Sequence, residues 1–463
     1  MTTAYEVFEK QYISKTKTSK RMYKEARQYL AGGVAGNAAF RRPYPIYMKG
    51  AKGARIWDVD DNEYIDILAG GGPIILGHSP DPVVKAVRKQ LEKGTVTLLT
   101  SQATIDLAKK ITQHVPGMEM ARFINSGSEA VHMALRAARA FTGRQKHAKI
   151  EGNYHGQLDN VLISGSIFAG PEDNPERRTQ CAGIPDSVVN DVIVLPFHNT
   201  EASVSIIKKH AKELAAVLLE PVAGNYLGGI PADKSYVEAL RKVCDEEGII
   251  FIWDEIITGF RLGLSGATSL NGVIPDLRAM GKIIGGGFPI GCYGGRKDIM
   301  EKVVTPLGAP RNPEQAAKEM YLAKDKMVQT GTFSGYPIAA VAGLATIQEL
   351  EKPGFYDYID GLAGKIKSGL EKILEEMGIA AQVGGVGSFL GIHFSQYPVR
   401  KVRDIPKGDM ETASAFYLGL VANDIFIPPV HGAFTYAAHT DVDVKRILEV
   451  SEEVLRTIKK YRA

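Results

Sequence analysis

The sequence predicts an α/β protein: a mainly parallel sheet with helices on both faces, and a smaller α/β domain assembled from the two ends of the chain. Three observations lead there. Between Asp81 and Leu219, long helical patterns alternate with short buried runs, and such alternation requires crossover connections between parallel strands. At Ile249–Trp253 a compact apolar run ends in two carboxylates, Asp254 and Glu255, as a strand buried on both faces reads. Finally, 463 residues exceed what one core holds, so two packed domains are expected.

Taken in order, residues 5–30 alternate charged and apolar positions at helical spacing and predict an amphipathic helix ending at Gly32-Gly33. Ile46–Met48, Arg55–Asp58 and Tyr64–Leu68 are short β-rich runs parted by the KGAKG and DVDDNE turns, a small antiparallel sheet. Helices are predicted over Val83–Glu92, Ile105–His114 and Glu129–Thr142, and strands over Ala121–Asn125, His147–Ile150, Val192–Leu195 and Ala216–Leu219. After Thr332 come helices over Ala339–Leu350 and Tyr356–Met377, a strand-like Gly387–His393 and a closing helix over Val442–Lys460. The resulting division is 1–75 as part of the small domain, 76–334 as the large domain and 335–463 as the C-terminal small domain.

Composition narrows the function classes. With 44% apolar and 23% charged residues, the chain is an ordinary globular protein. A net charge of +4 with Lys and Arg spread along the chain leaves no nucleic-acid footprint. The three cysteines, Cys181, Cys244 and Cys292, lack metal-ligand spacing, so no metal site is expected and a reducing, cytoplasmic setting fits. No run of eighteen apolar residues or secretory leader is visible, so no membrane association is expected.

The chemistry concentrates at predicted strand ends, where open α/β sheets bind ligands. A lysine, Lys282, lies in the apolar segment Leu277–Ile284 before Gly285-Gly286-Gly287. In such surroundings the amine is poorly hydrated, its pKa falls, and it becomes a nucleophile. Pyridoxal 5′-phosphate (PLP) asks a protein for such a lysine, to form a Schiff base, and for a carboxylate that keeps a proton on the pyridine nitrogen. Asp254 precedes Lys282 by 28 residues, 282 − 254. Alone, each residue has an ordinary explanation as a strand terminus or a surface turn; together with three further motifs they do not. Ser126, Gly127 and Ser128 open a helix after a strand and can cradle a phosphate, or simply cap the helix. Tyr154 and His155, between glycines, can meet a flat ring. Glu220 and Asn225 follow the strand Ala216–Leu219 and reach the same rim as Asp254.

The ordered set NSGSEA (125–130), EGNYHG (151–156), EPVAGN (220–225), WDEIITGFR (253–261), GKIIGGGFPIG (281–291) and QTGTFSG (329–335) resembles the class III aminotransferases, PLP enzymes of fold type I. Within them it is most similar to the branch around glutamate-1-semialdehyde 2,1-aminomutase. The resemblance runs from about Leu30 to the C-terminus. It implies a seven-stranded-type sheet, Lys282 as the Schiff-base lysine and Asp254 as the partner of the pyridine nitrogen. Ile256 and Tyr154 would cover the two ring faces. Gly127 and Ser128 would hold the phosphate with Thr332 from the second subunit of a homodimer, and Asn225 would lie near the phenolic oxygen with Glu220 close by.

Departures from that branch fall where substrate is read. Its arginine after Gly-Gly-Val has Ala39 here, leaving Arg41 or Arg42 as a carboxylate fork. An expected aromatic is replaced by Gly71, and the loop 428–440 is shorter, with no glutamate gate and with His431 nearby. Pro310–Met327 reads as an added charged helix. An aminomutase must retain its diamino intermediate, so a lost gate and a wider pocket favour release. The expected activity is transfer of an amino group from an amino acid, bulky, D- or β-amino acids included, to a 2-oxo acid by a ping-pong mechanism. The alternatives are a glutamate-1-semialdehyde 2,1-aminomutase or a PLP-dependent racemase or epimerase on the same scaffold, and, remotely, a non-catalytic PLP-fold binding module.

Overall fold

The computed structural model describes residues 2–304, 312–322 (backbone alone for 318–322), 326–427 and 432–462. Two compact units result: Met1–Asp81 with Gly354–Val399 and Arg403–Ala463, and Pro82–Pro353 with Arg400–Val402.

The second unit is built on a seven-stranded sheet. Its strands are β1 (Met120–Ile124), β2 (Lys146–Ile150), β3 (Val192–Leu195), β4 (Leu214–Leu219), β5 (Ile250–Glu255), β6 (Leu277–Gly281) and β7 (Gly291–Gly295), in the order β1-β7-β6-β5-β4-β2-β3. Six run parallel and β7 alone runs against them. This is the α/β arrangement expected from the alternating pattern. Every residue of β3, β4, β5 and β6 is buried, which is why β3, β4 and the Ile250–Trp253 part of β5 read as continuous apolar runs and not as alternation. The helix Gly127–Thr142 packs Ala130, Val131, Ala134, Leu135 and Ala138 inward and stops at Gly143, whose φ of 71° suits a left-handed cap. Buried side chains of that size each contribute on the order of 1.5–3 kcal/mol when fully covered, the alanines less.

The helix Pro337–Leu350 belongs to this unit, whereas the sequence division at 334/335 assigns it to the small domain. The reason is a close backbone approach: a Cβ at Gly343 would overlap the Ile284 carbonyl oxygen, just past Lys282. Its near-uniform apolarity, with ten buried positions, gives no stripe to show which unit it faces.

In the first unit, Met48–Lys52, Arg55–Asp58 and Glu63–Asp66 form an antiparallel set joined in parallel by Ile425–Phe426. The KGAK sequence read as a turn is strand; the turn tightens to Gly53, at φ 57°. In place of one helix over 5–30 there are two, Ala4–Lys15 and Lys17–Ala26, parted at Thr16, whose backbone leaves the helical region and whose hydroxyl donates to the Tyr12 carbonyl at 2.7 Å. The helix Met410–Ala422 escaped the sequence reading because nine of its residues are buried, so it shows no polar face. Within the 310–327 insertion a helix does form, at Pro313–Leu322. Among the described residues no helix is long and apolar enough to cross a membrane.

Gly343→Ala is expected to push the Lys282–Gly285 turn away from its helix and to destabilise the protein by about 1–3 kcal/mol, the usual cost of overpacking. Denaturant unfolding of the variant beside the parent measures it.

Candidate active site

Register aligns the strand ends. Trp253 on β5 pairs with Leu219 on β4, so Asp254 and Glu220, the next residue of each strand, stand side by side. On the other flank Asp254 pairs with Ala279 of β6, and the chain reaches Lys282 three residues on. Three chemistry-bearing residues from distant parts of the sequence therefore share one carboxyl edge.

The two carboxylates that end β5 have different tasks. Glu255 is fully buried and occupied: Arg278 donates to it, as do the Ala267 N–H at 2.7 Å and the Thr258 hydroxyl at 3.1 Å. Such a pair is an internal brace, and breaking one partner of a buried pair costs roughly 3–5 kcal/mol. Asp254, 5% exposed, accepts from the Ile256 N–H at 3.0 Å and from His155 Nδ1 at 2.8 Å. An ionised carboxylate only accepts, so Nδ1 carries the proton, and Nε2 of His155 is left without a protein partner. Burial holds the His155 pKa below its ordinary value, Asp254 pulling it up and Lys149 pressing it down. His155 is thus a neutral donor that orients Asp254.

Lys282 occupies left-handed backbone at φ 49°, uncommon for a residue with a side chain. Its amine is pulled down to about 8, first by burial, with Arg261 adding to the effect and Glu220 and Asp254 opposing it. Glu220, 4% exposed, is pushed up to about 8, first by burial and then by Asp254. It accepts from the Tyr154 N–H at 2.7 Å and the Gly224 N–H at 3.3 Å, while its own N–H donates to Asn153 Oδ1 at 2.8 Å.

Around this rim stand the other expected residues. Ser126 caps the helix Gly127–Thr142 through the Glu129 N–H at 3.3 Å, and Ser128 accepts from the Gln157 N–H at 3.2 Å. The first-turn N–H groups of Gly127 and Ser128 precede the intrahelical bonds and suit an anion. A Cβ on Gly127 would come within 2.9 Å of Ile256 Cδ1, so the helix end and Ile256 meet only because residue 127 is glycine. Tyr154 is half-buried with its ring edge-on to Tyr226 at 5.8 Å. Asn225 is half-buried and Thr332 exposed; the segment before Thr332 is tied down by Gln329, which accepts from Tyr293 Oη at 2.8 Å and donates to the Phe123 carbonyl at 2.7 Å.

In the first unit, Arg41 is committed locally: it donates to the Ile427 carbonyl at 2.8 Å and its guanidinium lies 4.9 Å from the Phe426 ring centre. Arg42 is exposed, and His431 lies outside the described residues. Two residues that the sequence reading passed over are structural parts of the site: Asn153, which ties to Glu220, and Lys149. A lysine inside the apolar run HAKI was the available signal for the second.

These residues fit PLP. A desolvated amine, a buried carboxylate fixed by a neutral histidine, and a helix end with free donors are the three polar demands of that cofactor.

The linkage at Glu220 has a definite sign. In the folded protein its carboxyl keeps a proton that the unfolded chain loses near 4.5, so its contribution is full below that pH and is lost by about 8. Cofactor-free Glu220→Gln should show a flatter decline of stability across that window than the parent, read from urea unfolding at a series of pH values.

Comparison with known proteins agrees with this geometry. The family model described as aminotransferase class-III matches residues 37–420. A relative named glutamate-1-semialdehyde 2,1-aminomutase from Persephonella marina is 37% identical over 449 residues, covering 96% of this chain and all of that protein. An omega-transaminase structure from Sphaerobacter thermophilus superposes with a TM-score of 0.87 at 32% identity, covering 96% of this chain and 98% of the other. A β-phenylalanine aminotransferase structure from Variovorax paradoxus superposes with a TM-score of 0.84 at 27% identity, covering 98% and 97%. With the fold, the rim of polar groups and the match over most of its length in agreement, the chain belongs to the class-III aminotransferases, PLP-dependent enzymes.

Proposed function

We propose that the protein moves an amino group from an amino acid to a 2-oxo acid in two half-reactions. The observation that carries this reading is the meeting of a desolvated Lys282 amine with the His155-braced Asp254 on one sheet edge. Bound PLP would supply an aldehyde for the incoming amine and a ring that draws off negative charge from the substrate carbon.

The residues of this chain do the rest. Asp254 would keep a proton on the ring nitrogen, and its two hydrogen bonds prevent it from turning away. Lys282 would serve as the general base at the substrate α-carbon; an amine pulled down to about 8 is close enough to neutral pH to accept and return a proton in each turnover. Gly127 and Ser128 would hold the phosphate, Ile256 and Tyr154 would bound the ring, and Asn225 would lie by its oxygen. Thr332, exposed at the end of its anchored segment, would complete the phosphate site of a partner subunit in a homodimer. Arg41 is spent on the Ile427 carbonyl and the Phe426 ring, which leaves Arg42 and His431 as the candidates for a substrate carboxylate. The free cysteines, Cys244 and Cys292 buried and Cys181 exposed, suit the reducing cytoplasm.

The aminomutase relative at 37% identity favours a second reading, an intramolecular amine shift. The two separate in one experiment. The PLP-loaded enzyme is given an amino donor alone, across bulky, D- and β-amino acids. Transamination bleaches the visible band, accumulates pyridoxamine phosphate and is reversed by a 2-oxo acid; an isomerised donor with no need of an acceptor sinks the transaminase reading.

Lys282→Ala should lower kcat by about 10²–10⁴-fold, the range of a lost general base, and should leave no lysine at that position for borohydride to fix to PLP. Peptide mapping of the reduced parent protein checks the attachment.

A further inference from the structure

Strand β2 carries a lysine where apolar residues are expected. Lys149 is 0% exposed and stands in register between Val194 of β3 and Leu218 of β4. A charge in such a place is tolerated only when every proton finds an acceptor. Its Nζ donates to the Ile163 carbonyl at 2.7 Å and to the Ile150 and Asn153 carbonyls at 3.2 Å each. Three acceptors match the three protons of the ammonium form, while burial pulls the amine down to about 7 against the opposing pull of Glu220 and Glu151.

Two of these carbonyls belong to the turn that delivers Tyr154 and His155 to the sheet edge. The third belongs to the neighbouring segment, where Ser164 accepts from the Gly152 N–H at 2.9 Å. Asn153 extends the arrangement: its backbone oxygen is held by Lys149 and its side-chain oxygen by the Glu220 N–H. Glu220 in turn accepts from the Tyr154 N–H, and His155 donates to Asp254. The charged and titratable groups that sense Lys149 are Glu220, Glu151, His155 and His147.

We propose that Lys149 is a positioning residue whose buried amine clamps the Ile150, Asn153 and Ile163 carbonyls, fixing the loop that presents Tyr154 and His155. Its Nζ is spent on backbone carbonyls, so it acts through that loop. The inference rests on the assignment of Asp254 and Lys282 given above, but the loop clamp can be tested without cofactor.

The test uses full-length Lys149→Met, with Lys149→Gln as the second variant should the first not fold. Amide hydrogen exchange over residues 150–156 of the cofactor-free chain should speed up by about tenfold, while the helix Lys234–Glu247 keeps its parent rate. In the PLP-loaded enzyme, loss of the clamp should shift the pH midpoint of the visible band by about half a unit to one unit. The same loss should lower kcat about tenfold with KM unchanged. A parent-like band midpoint and parent-like kcat per bound PLP would overturn the proposal even if the melting temperature falls, since Lys149 would then merely fill the core. If borohydride fails to link PLP to Lys282 in the parent, the functional reading fails instead, and the exchange data still judge the clamp.

Discussion

Removal of water from the carboxyl edge of a parallel sheet is the constraint on which the rest depends. In bulk water Lys282 would be a solvated cation and Glu220 an ordinary anion. At the ends of β4, β5 and β6 burial pushes both toward neutrality, to about 8 in each case, and makes every polar contact there count for more. A dry edge is possible because the strands are buried along their whole length and because glycines at 127, 281 and 343 let neighbouring segments close over it. Fold and chemistry are therefore one problem: the same packing that stabilises the sheet desolvates the amine.

The polar groups admitted to this edge are organised in a chain and not scattered. Lys149 holds the loop, the loop's Asn153 and Tyr154 hold Glu220, and His155 holds Asp254. Arg278 and Glu255 form a separate buried brace. Each member satisfies another, so a buried polar network costs less than the sum of its parts, and its geometry is specified more tightly than a hydrophobic cluster could manage.

Much of this was legible in the residues. Strand β5 announced itself by the apolar run before Asp254, and Lys282 by an apolar stretch followed by glycines. The positions that could not be read are those whose meaning depends on a partner. His155 read as a neighbour of Tyr154 at a flat ring, because nothing in a linear sequence indicates that its Nδ1 faces Asp254, 99 residues away. Asn153 was invisible for the same reason, and Lys149 showed only as a lysine inside the apolar run HAKI. Arg41 had the chemistry of a substrate fork, yet folding gave it the Ile427 carbonyl and the Phe426 ring instead. The helices Pro337–Leu350 and Met410–Ala422 were obscured by an opposite cause: burial on nearly all sides erases the stripe that periodicity detects.

The left-handed backbone at Lys282 has an implication for how this enzyme trades durability against work. A side chain at φ 49° carries a penalty of about 1–2 kcal/mol that glycine escapes. The site keeps the penalty because glycine has no amine to offer. Selection for heat tolerance alone would thus drift toward a sturdier molecule at this position, and an inert one.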